Sequence, residues 1–485
     1  MSLARGAARG AAWNFASVLV ERGAGFLVLA LLMRVVPARD VGLIAIASAI
    51  SELARVVANS GAGEQVQADP GNMQVEAGAF WSQLIASVGF MLALWVAAPL
   101  VTGLYHLPAL TPVLRVLALS VVMTCFLIVP SARLTSQFRF RAIGLISFCS
   151  TVLGGLCALP LAFADHGIAA LVAQRLVGVG VYAVAASWAA GWVPPRPPSL
   201  AVLREGFRFS LPLMEAAFVD FISVTGYVML VGLRMPVAAL AQFRIAQRLV
   251  DVLQEVAFQP VRKLFMPVLV ALRGDAARRG DALRQMLEPL AVLICFVSAV
   301  SGAAARPIIL LMFGAKWAAA IPVFAILALA VPVLALYGVI NPLLTSMGKT
   351  RLVSWYAWAN ALSIAAVCWL AAPYGLGALA WALAGRGFVG MLLFLLALRH
   401  GLQGALVWPM LRLLALPVVG MAGARLAAYG MACWLPPLGL LVDLIALFGS
   451  ATLAYAVIIT ALAPGRTKKM ALRVGRALFA RRAML

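Results

Sequence analysis

Leu84–Leu104 reads LIASVGFMLALWVAAPLVTGL, 21 residues without one charged side chain. At about 1.5 Å of helix rise per residue, such a run crosses the roughly 30 Å hydrocarbon core of a bilayer. In hydrocarbon every backbone amide has to be paired internally, which leaves α-helices or a closed β-barrel. A barrel would read as alternating stretches of about 10 residues. Here the apolar runs are continuous, as again in Ile364–Ala372 (IAAVCWLAA), so they read as helices. Working outward, the 485-residue chain is 64% hydrophobic and 11% charged. Soluble domains are roughly 45–50% apolar and about 25% charged. No soluble core absorbs that surplus, and the expected fold class is an all-α polytopic membrane protein.

A pass along the chain gives about 14 spans, near residues 11–36, 40–62, 79–104, 110–132, 142–163, 167–190, 207–234, 237–261, 286–313, 319–345, 352–372, 375–399, 410–431 and 437–463. Residues 11–36 are too long for a signal-peptide core and read as the first span. Lys and Arg orient the chain, because cytoplasmic loops concentrate them. With the N-terminus inside, most of the 38 basic residues fall on the inner side, notably Arg133, Arg139, Arg141, the run from Arg262 to Arg284, and the tail from Arg466 to Arg482. The outer connections hold only Arg34, Arg39, Arg115, Arg234, Arg306 and Lys316. Both termini are therefore expected in the cytoplasm, and the membrane is expected to be the bacterial inner membrane. One inner loop, Gly61–Gly78, departs from the pattern with Glu64, Asp69 and Glu76 and no basic residue. The net charge of +22 thus reads as topology anchored on anionic membrane lipids, with no nucleic acid as partner.

The chain repeats itself. Pro112–Leu119 (PVLRVLAL) parallels Pro322–Leu329 (PVFAILAL), and Leu134-Thr135-Ser136 with Arg139 and Arg141 parallels Leu344-Thr345-Ser346 with Lys349 and Arg351, both displaced by 210 positions. His166–Leu171 parallels Tyr374–Leu379 at 208. The expected organisation is a six-helix lobe over 1–192, a Pro-rich cytoplasmic linker over 193–206, a second six-helix lobe over 207–400, two extra transmembrane helices over 401–465 and a basic cytoplasmic tail over 466–485. An even number of spans per lobe makes the repeats parallel, an arrangement transporters use with the substrate site between repeats.

A charge at mid-bilayer costs roughly 2.5–3.5 kcal/mol or more, so it should face a cavity or a partner. The intramembrane charges concentrate in spans 1, 2, 7 and 8: Glu21 and Arg22; Glu52 and Arg55, with Asn59 one turn on; Glu215 and Asp220; Arg244, Arg248, Asp251 and Glu255. Spans 7 and 8 are the repeat partners of 1 and 2. Steps of three and four residues place each set on one helix face. The pattern predicts a polar path lined by these four spans. The competing account is buried ion pairs such as Arg248–Asp251 that hold helices together. Arg175, Arg386 and Arg425 stand alone in apolar spans, where snorkelling to an interface is the simplest account. The six cysteines have neither metal-ligand nor redox spacing and read as packing residues. Walker A, GxSxG and HExxH motifs are absent, so neither a catalytic residue, a metal nor a cofactor is expected.

At this point the residues match a known pattern. Gly10-Ala11-Ala12-Trp13 opens span 1; Leu32–Pro37 (LMRVVP) with Gly42, Pro108–Arg115 (PALTPVLR) and Phe313–Trp317 (FGAKW) follow in order. Through its first twelve spans the chain resembles the Wzx/WzxC-type polysaccharide flippases of the multidrug/oligosaccharidyl-lipid/polysaccharide superfamily. The resemblance implies a two-lobed helical fold whose cavity is lined by spans 1, 2, 7 and 8. It also implies a cargo, undecaprenyl-diphosphate-linked oligosaccharide, moved from the cytoplasmic to the periplasmic leaflet for exopolysaccharide or O-antigen biosynthesis, alongside polysaccharide polymerase and export machinery. Arginine suits phosphate and acidic sugars, which makes Arg22, Arg55, Arg244 and Arg248 the candidate substrate-binding residues. Glu21, Glu52, Glu215, Asp220, Asp251 and Glu255 are the candidates for proton or sodium coupling, or for balancing those arginines. The alternatives are a drug/cation antiporter of the same superfamily, whose cavity should be acidic and aromatic, a polymerase or ligase, which needs a long periplasmic loop, and a scaffold, which needs none of the membrane charges.

Overall fold

The computed structural model describes residues 23–59, 61–272, 276–401, 407–434 and 439–462, and among these there is no strand. In chain order the helices are α1 Gly23–Val35, α2 Ala38–Asn59, α3 Ala62–Ala68, α4 Met73–Tyr105, α5 Leu110–Ser136, α6 Phe140–Phe163, α7 Gly167–Ala190, α8 Leu200–Phe221, α9 Tyr227–Arg234, α10 Val237–Ala257, α11 Gln259–Ala271, α12 Ala276–Ala303, α13 Ala305–Phe313, α14 Ala320–Ser346, α15 Thr350–Ala371, α16 Leu376–Gly401, α17 Val407–Trp434 and α18 Leu440–Leu462. Among the described residues, 11 helical stretches are long and apolar enough to cross a membrane. The α1 segment and Ala320–Ala335 of α14 are shorter apolar helices. Helix α10 is strongly amphipathic, because Arg244, Arg248, Asp251 and Glu255 gather on one face and its buried apolar residues on the other.

The chain divides into two compact units, Met1–Arg244 with Ile364–Pro373, and Ile245–Ser363 with Tyr374–Leu485. In the first, α5 packs on α4, α7 and α2, and α6 packs on α7. Small residues set these distances, as is usual between membrane helices: a Cβ on Gly154 would lie 2.7 Å from the Gln174 carbonyl oxygen, and one on Gly155 2.5 Å from Val28. Phe80, Trp81, Phe126 and Trp192 meet edge to face, and Trp81 Nε1 donates to the Pro195 carbonyl at 2.9 Å, tying the non-helical segment 193–199 to α4. A π-helical turn, Ile222–Gly226, separates α8 from α9. Arg234 stacks on Trp369 with its guanidinium carbon 4.0 Å from the ring centroid, which joins the end of α15 to this unit.

In the second unit α12 packs on α14 and α17, α17 on α18, and α14 on α16. Its core includes Cys295, Ala299, Ala424, Ala428, Ala451 and Tyr455. Arg425 of α17 lies inside this packing, donating to the Ala325 carbonyl at 2.7 Å and the Ser298 carbonyl at 3.0 Å.

The duplication is visible in backbone detail. Helices α5 and α14 each run 27 residues, with both ends displaced by the same 210 positions as the sequence blocks. Each ends in the same left-handed turn, at Phe138 (φ 56°) and Gly348 (φ 72°). The turns carry matching bonds, Arg139 N–H to Leu134 O at 2.9 Å and Lys349 N–H to Leu344 O at 3.0 Å.

Candidate functional site

Glu52 and Arg55 lie one turn apart on α2, three residues being the spacing that stacks side chains on one helix face. Arg55 Nε donates to Glu52 Oε2 at 2.9 Å, and Arg55 Nη2 reaches Glu52 Oε1, so the guanidinium fork holds the carboxylate with both arms. A third charge joins from α7: Arg175 Nη2 donates to the same Glu52 Oε2 at 2.9 Å. All three side chains are half-buried. Two cations share one anion, and the cluster keeps a net positive charge inside a membrane-spanning unit.

Beside Arg175 opens a cleft of about 450 Å³, walled by Ser48, Ser150, Thr151, Gln174 and Tyr182 together with apolar side chains. Arg175 Nε is buried without a hydrogen-bond partner. Towards the end of α2 is a second polar cluster. Gln83 Nε2 donates to Asn59 Oδ1, as does the Ser87 hydroxyl at 3.3 Å, and the Cys125 thiol donates to Ser87 Oγ at 3.1 Å. All four side chains are buried.

On α10, Arg248 Nη1 lies 3.9 Å from Glu255 Oε1, and Gln247 Nε2 donates to Asp251 Oδ1 at 3.1 Å. That ion pair spans seven residues, two turns of the helix. Arg244 is half-buried, while Glu215 and Asp220 occupy exposed positions on α8. Glu21 and Arg22 lie outside the described residues. The structure thus joins Glu52 to Arg55 and Arg248 to Glu255, and adds Arg175.

The three solitary arginines each find a partner within the protein. Arg175 finds Glu52, Arg386 Nη1 donates to Asn360 Oδ1 at 2.6 Å, and Arg425 takes the two carbonyls given above. In each case a polar group on another helix engages the guanidinium within the protein.

The Glu52–Arg55–Arg175 cluster thus joins two helices long and apolar enough to cross a membrane. A family described as "Polysaccharide biosynthesis protein" matches residues 31–322. The chain belongs to that family. Within curated proteins, "Succinoglycan biosynthesis transport protein ExoT" of Rhizobium meliloti (strain 1021) is 24% identical over 361 residues, covering 73% of this chain and 72% of the relative. The fold matches a structure described as lipid II flippase MurJ in an inward closed conformation, with TM-score 0.75 at 13% identity, covering 93% of this chain and 99% of the other. It also matches a MATE structure in complex with MaL6, with TM-score 0.50 at 13% identity, covering 82% and 95%. This member of the polysaccharide biosynthesis family is a multi-pass membrane transporter, and the resemblance to the superfamily's polysaccharide flippases read from its motifs holds.

Proposed function

We propose that this polysaccharide biosynthesis family member carries undecaprenyl-diphosphate-linked oligosaccharide repeat units from the cytoplasmic to the periplasmic leaflet of the bacterial inner membrane, for exopolysaccharide or O-antigen biosynthesis. Both termini are cytoplasmic, the two repeats provide alternating access, and a proton or sodium gradient drives the cycle. The cargo needs a carrier because neither a diphosphate nor sugar hydroxyls cross hydrocarbon unaided.

The observation that carries this reading is the cationic cluster on α2, where Arg55 and Arg175 share a single carboxylate. An excess of guanidinium charge in a low-dielectric span favours an anionic cargo, and the planar fork of arginine matches phosphate oxygens in pairs. Arg22, Arg55, Arg244 and Arg248 are the proposed contacts to the diphosphate or to acidic sugars. Glu21, Glu215, Asp220, Asp251 and Glu255 balance them or carry the coupling ion. The same excess disfavours a drug/cation antiporter, in which these arginines would repel the substrate. The experiment follows lipid-linked oligosaccharide by leaflet in cells lacking the chain. Accumulation on the cytoplasmic face, cleared by the wild type and not by Arg248→Ala at equal membrane level, supports the reading. An unchanged distribution in cells without a second flippase overturns it.

A further inference from the structure

The Arg55 fork is already filled. Both of its arms engage Glu52, through Nε at 2.9 Å and through Nη2, so an anionic cargo cannot dock on Arg55 without displacing the carboxylate. Were Arg55 the only partner of Glu52, displacement would strand a half-buried negative charge in a span, the costly outcome for ion pairs in a low dielectric. Glu52 has a second partner in place. Arg175 Nη2 lies 2.9 Å from Oε2, the same oxygen that accepts from Arg55 Nε. The two guanidinium groups therefore meet at one carboxylate oxygen. The cleft beside Arg175 offers the room, with Ser48, Thr151 and Gln174 as polar positions in a mostly apolar wall.

We propose that Glu52 is an internal stand-in for the anionic cargo, occupying Arg55 in the empty protein and passing to Arg175 when a lipid diphosphate docks. This rests on the cargo reading above and adds to it a positioning residue, Arg175, which touches Glu52 and not the cargo. The arrangement keeps the charges of α2 paired in both states and lets only a strong, multiply charged anion open the fork. It also makes Glu52 a competitor of the cargo, so removing its charge improves binding. A residue that binds the cargo directly does the opposite, since its removal weakens binding.

The test titrates the purified full chain with undecaprenyl diphosphate, the sugar-free lipid, by native mass spectrometry, with thermal melting followed in parallel. Glu52→Gln is expected to bind about fivefold tighter than wild type and Arg175→Gln about fivefold weaker, the scale of a partly solvated ion pair. The double variant should return to the affinity of Glu52→Gln, because Arg175 acts only through Glu52. Arg175→Lys keeps a cation for Glu52 and should bind like wild type, which separates loss of charge from loss of fold. Melting temperatures that fall in both single variants while affinity stays flat overturn the exchange, as does weaker binding by Glu52→Gln. A wild type that ignores undecaprenyl diphosphate overturns the cargo reading itself, whereas a wild type that binds with a flat mutant cycle overturns only the exchange.

Discussion

Gly42 on α2 is buried against the start of α10, and its replacement by alanine isolates one physical term. A Cβ there would sit 2.0 Å from the Val237 carbonyl oxygen and 2.7 Å from Val237 Cγ1. The carbonyl belongs to backbone and cannot turn aside, so one helix has to move by more than an ångström. Overpacking of this kind costs about 1–3 kcal/mol. Against it stands the gain from replacing glycine inside a helix, about 0.5–1 kcal/mol. Gly89 on α4 is the control, because its Cβ would meet nothing within 4 Å and Gly89→Ala collects the helix gain alone. The expected order of melting temperature is therefore Gly89→Ala at or above wild type, and Gly42→Ala below both, with the two variants separated by the clash, about 1–3 kcal/mol. Tryptophan fluorescence of the purified protein in one detergent reads all three, the 12 tryptophans serving as probes. A Gly42→Ala protein as stable as Gly89→Ala would refute the close approach of α2 to Val237.

Two further predictions concern buried polar groups. Arg425→Leu removes two bonds to the Ala325 and Ser298 carbonyls and should destabilise the packing of α17 by about 1–3 kcal/mol; Arg425→Lys should not restore it, since an ammonium lacks the planar fork. Both are read from melting in detergent, and full stability of the lysine variant would contradict the assignment. Asn59→Ala strands the Gln83 and Ser87 donors and should cost about 1–3 kcal/mol, whereas Asn59→Ala with Gln83→Leu should cost less than the two single changes together. Additive losses in that melting cycle would show that the cluster does not act as a unit.

Much of this architecture was legible in the sequence because hydropathy is a local property. The apolar run at Leu84–Leu104 falls within α4, and the 210-residue displacement of Leu134-Thr135-Ser136 reappears as two identical left-handed turns at Phe138 and Gly348. The polar character of α2 and α10 was legible for a related reason, since a helical step of three or four gathers Glu52 with Arg55 and Arg244 with Arg248 before any fold is known. Pairs between helices were not legible. Glu52 and Arg175 are 123 positions apart, and nothing in the periodicity of α7 distinguishes a guanidinium aimed at a carboxylate from one that snorkels. Cys125 read as apolar packing, and it is buried as expected, yet its thiol faces the Asn59–Gln83–Ser87 cluster. Within α10, spacing offered Arg248 two acidic neighbours on one face, Asp251 and Glu255, and spacing alone does not show that Glu255, seven residues on, pairs with it. The one available sign of Arg175 was its isolation, an ionisable residue in an otherwise apolar span, which marks a partner or a function by default.

The central claim is tested most directly in vesicles. The purified chain is reconstituted with undecaprenyl-diphosphate-linked oligosaccharide extracted from the source cells, and a glycosidase added outside reads how much of the inner-leaflet pool becomes accessible with time. The account predicts that vesicles containing the protein expose that pool while protein-free vesicles, and those carrying Arg55→Gln with Arg248→Gln, leave it protected. Equal exposure with and without the protein, or undiminished exposure by the double variant, would contradict it.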